Sequence, residues 1–236
     1  MGLWTDILWK LRRPVPPVPD HRLPPQGVVT TFLPPGYTIR GRTDAKDTGC
    51  KVYSRDGRIV VDGEWERVLD CRKQKGDGGQ GEHQDPVARC LVPVHFRRLW
   101  VRNNKNALLL WDDSIVEDCI WLTVGEDAVA NPKQCEDARI VGCTFLNSTR
   151  GDKTIQLNGA RGAVVKGNTI YLGRTGIRVG ESSYSKPDRD RAVVEGNTFI
   201  GVDTCIHPSS CTVEWNGNKT VSCRKETKPA NGARLV

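Results

Sequence analysis

The chain has 236 residues, of which 37% are hydrophobic and 27% charged, with a formal net charge of +7. That length fits one domain with a sizeable core, and no apolar run reaches the ~18 residues of a helical membrane span. The positive balance calls for an acidic partner, whether a uronate polysaccharide, nucleic acid or an acidic protein surface. Basic residues are scattered rather than grouped in a reading motif, which places nucleic acid lowest.

Residues 1 to about 25 differ from the rest. Leu3, Trp4, Ile7, Leu8 and Leu11 recur at helical spacing, with Lys10, Arg12 and Arg13 at the end of the run. This pattern predicts a short amphipathic helix. It leads into Pro14-Val15-Pro16-Pro17-Val18-Pro19, an extended, semi-rigid spacer. Two readings stand for this arm: a cap on the first coil of the fold behind it, or a docking element for another protein. The start lacks the basic-then-apolar order of a secretory signal.

From residue 26 to 223 the pattern is short strands and turns. Arg58-Ile59-Val60-Val61-Asp62-Gly63 and Phe96-Arg97-Arg98-Leu99-Trp100-Val101 read as early coils, separated by the polar glycine-rich stretch from Lys73 to Gly81. A phrase then repeats: Val116 to Trp121, Val141 to Phe145, Val165 to Ile170, Val194 to Phe199 and Val213 to Asn218. Its marker residues, Cys119, Cys143, Asn168, Asn197 and Asn218, are separated by steps of 24, 25, 29 and 21 residues. A short β-branched run plus a turn residue at that period is the pattern of a solenoid, whose coils bury a continuous core only by stacking. Asn168 and Asn197 should stack as a hydrogen-bonded ladder, with Cys119 and Cys143 as compact apolar occupants of the same column. The expected fold is all-β, a single-stranded right-handed parallel β-helix. Val116, Ile120, Val141, Phe145, Val165, Ile170, Val194 and Phe199 are expected inside it or at coil interfaces. The nine cysteines read as reduced core residues, the alternative being a disulfide framework. Residues 224–236 read as a polar tail.

Val124-Gly125-Glu126-Asp127-Ala128 and Gly151-Asp152-Lys153-Thr154-Ile155-Gln156-Leu157-Asn158, preceded by Gly76 to Val87 and followed by Gly173 to Arg178, resemble the small calcium-dependent pectate lyases. Members of that family are compact right-handed parallel β-helices that cleave polygalacturonate by β-elimination. The resemblance spans roughly residues 70 to 200. It implies that Lys153 neutralises the substrate carboxylate together with calcium, that Arg178 is the base, and that Glu126 and Asp127 bind calcium. The pattern departs at Asn106 and Thr123, which stand where the family has aspartates. Calcium affinity follows the number of charged oxygen ligands, so the metal site of Glu126, Asp127 and Asn106 is expected to be weak.

Two functions follow. One is a structural or adhesive β-helix of a larger assembly, a bacteriophage virion part such as a spike, collar or capsid decoration, attached through its arm and forming a homo-oligomer, by analogy a trimer. The other is a polysaccharide lyase or depolymerase acting on an acidic glycan, secreted or at a cell surface.

Overall fold

The computed structural model describes residues 24, 26–34, 36–70, 87–102, 108–124, 129–131, 136–147, 153–158, 161–180, 189–227 and 232–236. The arm residues Leu3, Trp4, Ile7, Leu8 and Leu11 lie outside them. The strands form three sheets. Sheet A runs β1 (Val29–Phe32), β5 (Arg67–Asp70), β8 (Trp100–Arg102), β11 (Ile120–Val124), β14 (Thr144–Asn147), β17 (Thr169–Tyr171), β20 (Thr198–Ile200) and β23 (Lys219–Val221). Sheet B runs β2 (Thr38–Ile39), β6 (Ala88–Cys90), β9 (Leu108–Leu109), β12 (Val129–Asn131), β15 (Lys153–Leu157), β18 (Thr175–Val179), β21 (Thr204–Pro208) and β24 (Lys225–Thr227). Sheet C runs β3 (Lys51–Arg55), β4 (Arg58–Asp62), β7 (Val94–Arg97), β10 (Ile115–Glu117), β13 (Arg139–Val141), β16 (Ala163–Lys166), β19 (Arg191–Glu195), β22 (Thr212–Asn216) and β25 (Arg234–Leu235). All described pairings are parallel except the β3–β4 hairpin. From β10 onward the chain visits sheets C, A and B in turn. The one described helix, α1 (Arg42–Lys46), is a single turn beside the first coil.

The expected period arises at the corner between sheets C and A. From β7 onward each passage has one residue in the left-handed region, at Arg98, Asp118, Gly142, Gly167, Gly196 and Gly217. The next residue, Leu99, Cys119, Cys143, Asn168, Asn197 or Asn218, forms an inward column. Glycine suits the left-handed position because it has no Cβ. The asparagine has a different task. Asn168 Oδ1 accepts from the Cys143 amide at 2.9 Å, and Asn197 Oδ1 accepts from both the amide and Nδ2 of Asn168 at 2.9 Å. Asn218 Oδ1 does the same for Asn197, at 2.9 and 3.0 Å. Each Asn Nδ2 also donates to a carbonyl of an earlier coil, that of Ile140, Val165 or Val194. Polar groups buried at a corner are thereby paired, which is the condition for burying them at all.

The core lies between the three sheets and is built row by row. On sheet A the register places Leu69, Val101, Trp121, Phe145, Ile170 and Phe199 in one inward row. Trp121 stacks on Phe145 at 4.6 Å. On sheet C the corresponding row is Val61, Phe96, Val116, Ile140, Val165 and Val194. All twelve are buried. Six of the eight residues expected inside are in this core. Ile120 and Val141 are only half-buried, because each is one position out of phase with the inward row. Ile120 instead packs in a second cluster, with Val68, Trp100, Leu122 and Leu146. Val141 sits outward on sheet C between Glu117 and Lys166.

Of the seven described cysteines, Cys90, Cys119, Cys143, Cys205 and Cys211 are buried. Burial pushes the Cys119 thiol well above its usual pKa, and contact with Cys143 adds to this. Both therefore behave as small core residues. The last residues continue the stack: β24 pairs with β21, and β25 with β22. Among the described residues no helix is long and apolar enough to cross a membrane.

Candidate functional site

Sheet B carries Lys153 and Arg178, the two residues singled out for catalysis. Arg178 lies in β18 and pairs in register with Gln156 of β15 on one side and His207 of β21 on the other. The three are half-buried, while their strand neighbours Ile155, Leu157, Ile177, Val179 and Ile206 are fully buried. Alternation along a strand therefore turns this row outward. Lys153 begins β15 and pairs with Thr175, three positions along from Arg178's row. At about 3.3 Å per residue, the two rows are roughly 10 Å apart along the strands. Lys153 and Arg178 thus occupy neighbouring strands of sheet B but different rows, an odd number of positions apart, so alternation does not set them on one face.

Polar capacity in the Arg178 row is only partly used. Gln156 Nε2 donates to Asn158 Oδ1 at 2.6 Å, whereas Gln156 Oε1 and Arg178 Nε are buried without a hydrogen-bond partner. Arg178 makes no ion pair with any described residue. An unpaired guanidinium presents a planar fork of donors suited to a carboxylate or phosphate. It is a donor rather than a proton acceptor, because arginine keeps its proton. Among the described residues, the row supplies anion recognition by Arg178 and hydrogen bonding by Gln156 and His207.

His207 was not foreseen. Its signal was present in the repeat itself: Asn168 to Asn197 spans 29 residues, and the same step taken from Arg178 lands on His207. Glu126, Asp127 and Asn106 lie outside the described residues. Thr123 lies in β11, where the pairing with β14 slips between Leu122 and Val124, so it is the extra residue of a bulge. Among the described residues no group of three or more His, Cys, Asp or Glu could hold a metal ion.

A second polar concentration lies on sheet C. Asp62 is 2% exposed and accepts two hydrogen bonds from Arg98, at 2.9 and 2.5 Å, and one from the Glu64 amide at 3.0 Å. Burial pushes its carboxyl up, but the Arg98 and Glu64 hydrogen bonds and the charges of Arg98 and Arg97 outweigh that and hold it below the usual value. Beside it, His95 Nε2 meets Glu117 Oε2 at 3.1 Å. Burial, together with the charges of Arg97 and Arg58, lowers the His95 pKa against the raising effect of Glu117.

The chain matches no known protein-family model, and no curated protein resembles it in sequence.

Proposed function

We propose that this chain is a structural, adhesive right-handed parallel β-helix of pectate-lyase ancestry, acting as a part of a larger assembly. The most fitting setting is a bacteriophage virion, as a spike, collar or capsid decoration. The observation that carries this reading is the unbroken stack: sheets A and B have eight strands each and sheet C nine, around one continuous core. At about 4.8 Å per strand, eight strands make a rod roughly 34 Å long. Its buried corner amides are tied from coil to coil by Asn168, Asn197 and Asn218, which makes it stiff. Right-handedness follows from the strong preference of parallel crossovers for that hand. The arm, through Leu3, Trp4, Ile7, Leu8 and Leu11, attaches the rod to its partners, and the spacer from Pro14 to Pro19 holds it at a distance. The protein assembles as a homo-oligomer, a trimer by analogy with such parts.

Deleting residues 1–25 tests this reading. Light scattering should show an oligomer for the full chain and a monomer for the truncated one, with the same thermal unfolding midpoint for both. A truncated chain that unfolds or aggregates as a monomer would make the arm a cap and overturn the docking role.

The unpaired Arg178 beside Gln156 and His207 favours a second reading, a lyase that binds an acidic glycan on sheet B, secreted or at a cell surface. Release of unsaturated uronates from polygalacturonate with calcium present would establish it.

A further inference from the structure

The outer face of sheet C carries a cleft of about 320 Å³ that neither reading uses. Its rim is the turn of the β3–β4 hairpin, with Arg55 and Asp56, and its floor comes from β7 and β10. In-register pairing sets His95 beside Ile115 and Arg97 beside Glu117. Arg58, at the start of β4, reaches across the sheet: its Nε donates to the Asp113 carbonyl at 2.6 Å. The hairpin is thereby tied to the loop before β10, and the cleft has a built wall rather than a chance arrangement of surface side chains.

The groups lining this cleft carry three positive charges, from Arg55, Arg58 and Arg97, and two negative ones, from Asp56 and Glu117, and Asp113 behind the wall pairs with Arg58 at 3.5 Å. His95 adds none near neutrality, since burial keeps its pKa below the usual histidine value. Arg58 is engaged through all three nitrogens, with the Asp113 carbonyl at 2.6 Å, the Asp56 carbonyl at 3.3 Å and Asp113 Oδ1 at 3.5 Å, whereas Arg97 and Arg55 keep spare donors. The Arg97 side chain makes no hydrogen bond: its Nε lies 3.8 Å from Asp62 and 3.7 Å from Glu117, and Asp62 is already committed to Arg98. Arg55 makes one exposed contact, at 3.4 Å to Asp56. Guanidinium groups with spare donors converging on one concavity match the oxygens of a carboxylate or phosphate. The other lining groups, His95, Glu117 and Asp56, can pair with hydroxyls, and Ile115 is the one aliphatic wall. That combination suits a hydroxyl-rich molecule larger than a bare ion.

We propose that this sheet C cleft is an anion-binding site, separate from the Arg178 row, that takes the carboxylate or phosphate of a small polyhydroxylated ligand such as a sugar acid or sugar phosphate. Arg97 holds the anion from the floor, Arg55 closes on it from the hairpin, and Arg58 fixes the wall between them.

Amide NMR titrations of the full chain with glucuronic acid, glucose 6-phosphate and glucose test the site and distinguish its two anion sources. The charged sugars should shift the amides of His95, Ile115 and Glu117 saturably, and glucose should not. Whichever charged sugar binds more tightly identifies the anion. Arg97→Gln should weaken binding at least about tenfold, the usual loss for one charge-assisted hydrogen bond. Arg55→Gln, at an exposed position that cannot unfold the chain, should also weaken it, and Arg178→Gln should leave it unchanged. Three results would each overturn the proposal: no saturable shift with either charged sugar, equal binding of glucose, or binding that survives Arg55→Gln and Arg97→Gln but is lost in Arg178→Gln.

Discussion

Asn197→Ala is the sharpest test of what holds the coils together. Asn197 is completely buried. Its Oδ1 accepts from the amide and Nδ2 of Asn168, and its Nδ2 donates to the Val165 carbonyl and to Asn218 Oδ1. Alanine removes all four bonds. The Asn168 amide, one Asn168 Nδ2 hydrogen and the Val165 carbonyl are then stranded inside the stack, while Asn218, half-exposed at the last coil, turns to water. Each stranded buried group costs about 1–3 kcal/mol, so three of them, not fully additive, cost about 3–5 kcal/mol. For a chain of this size that lowers the unfolding midpoint by roughly 10 °C. Asn218→Ala is the internal control. It removes three bonds, to the amide and Nδ2 of Asn197 and to the Val194 carbonyl, at the part-exposed last corner, where solvent can replace them, and should cost about 1 kcal/mol. Urea unfolding followed by far-UV circular dichroism measures both. If Asn197→Ala costs no more than Asn218→Ala, the ladder is decoration and the coils are held by apolar packing alone.

Further outcomes follow from the same structure. Gly180, at the end of the strand carrying Arg178, has φ +77°, and a Cβ there would collide with the Ser209 carbonyl, whereas Gly167 at φ +66° faces open space. Gly180→Ala should therefore destabilise by more than about 2 kcal/mol and Gly167→Ala by only about 1 kcal/mol, as read by thermal unfolding. Asp62 titrates below the usual carboxylate value when folded, so its contribution is present above about pH 4 and is lost as pH falls through the folded value. Asp62→Asn should flatten the fall in stability on acidification, and an unchanged acid limb of the stability–pH profile would refute this assignment. Any polygalacturonate cleavage should vanish in Lys153→Ala and in Arg178→Ala with the circular dichroism spectrum unchanged; turnover that survives both would remove these residues from the mechanism. Calorimetry with calcium should give weak or no binding, and submicromolar affinity would restore a metal site at Glu126 and Asp127.

The spacing of Cys119, Cys143, Asn168, Asn197 and Asn218 made the coil period legible from the chain alone. Every coil solves the same problem, turning a corner while pairing its buried amides, so the solution recurs at nearly the same interval. The ladder at Asn168 and Asn197 and the thiols beneath it were legible for the same reason. Phase was harder to read. Ile120 and Val141 look like Ile170 and Val165 in composition, but side-chain direction reverses with each residue along a strand, and only the register put these two outside. The positions of Lys153 and Arg178 in sheet B, and Gln156 and His207 as partners of Arg178, also needed the register, because they belong to three coils and are brought together only through backbone pairing. The sheet C cleft was the least legible feature. Arg55, Arg58, His95, Arg97 and Glu117 fall in three stretches with no common motif, and their charges add up to a site only after the β3–β4 hairpin folds back over β7 and β10. Local chemistry sets the length of a coil, but which groups face one another across coils is decided by how the coils stack.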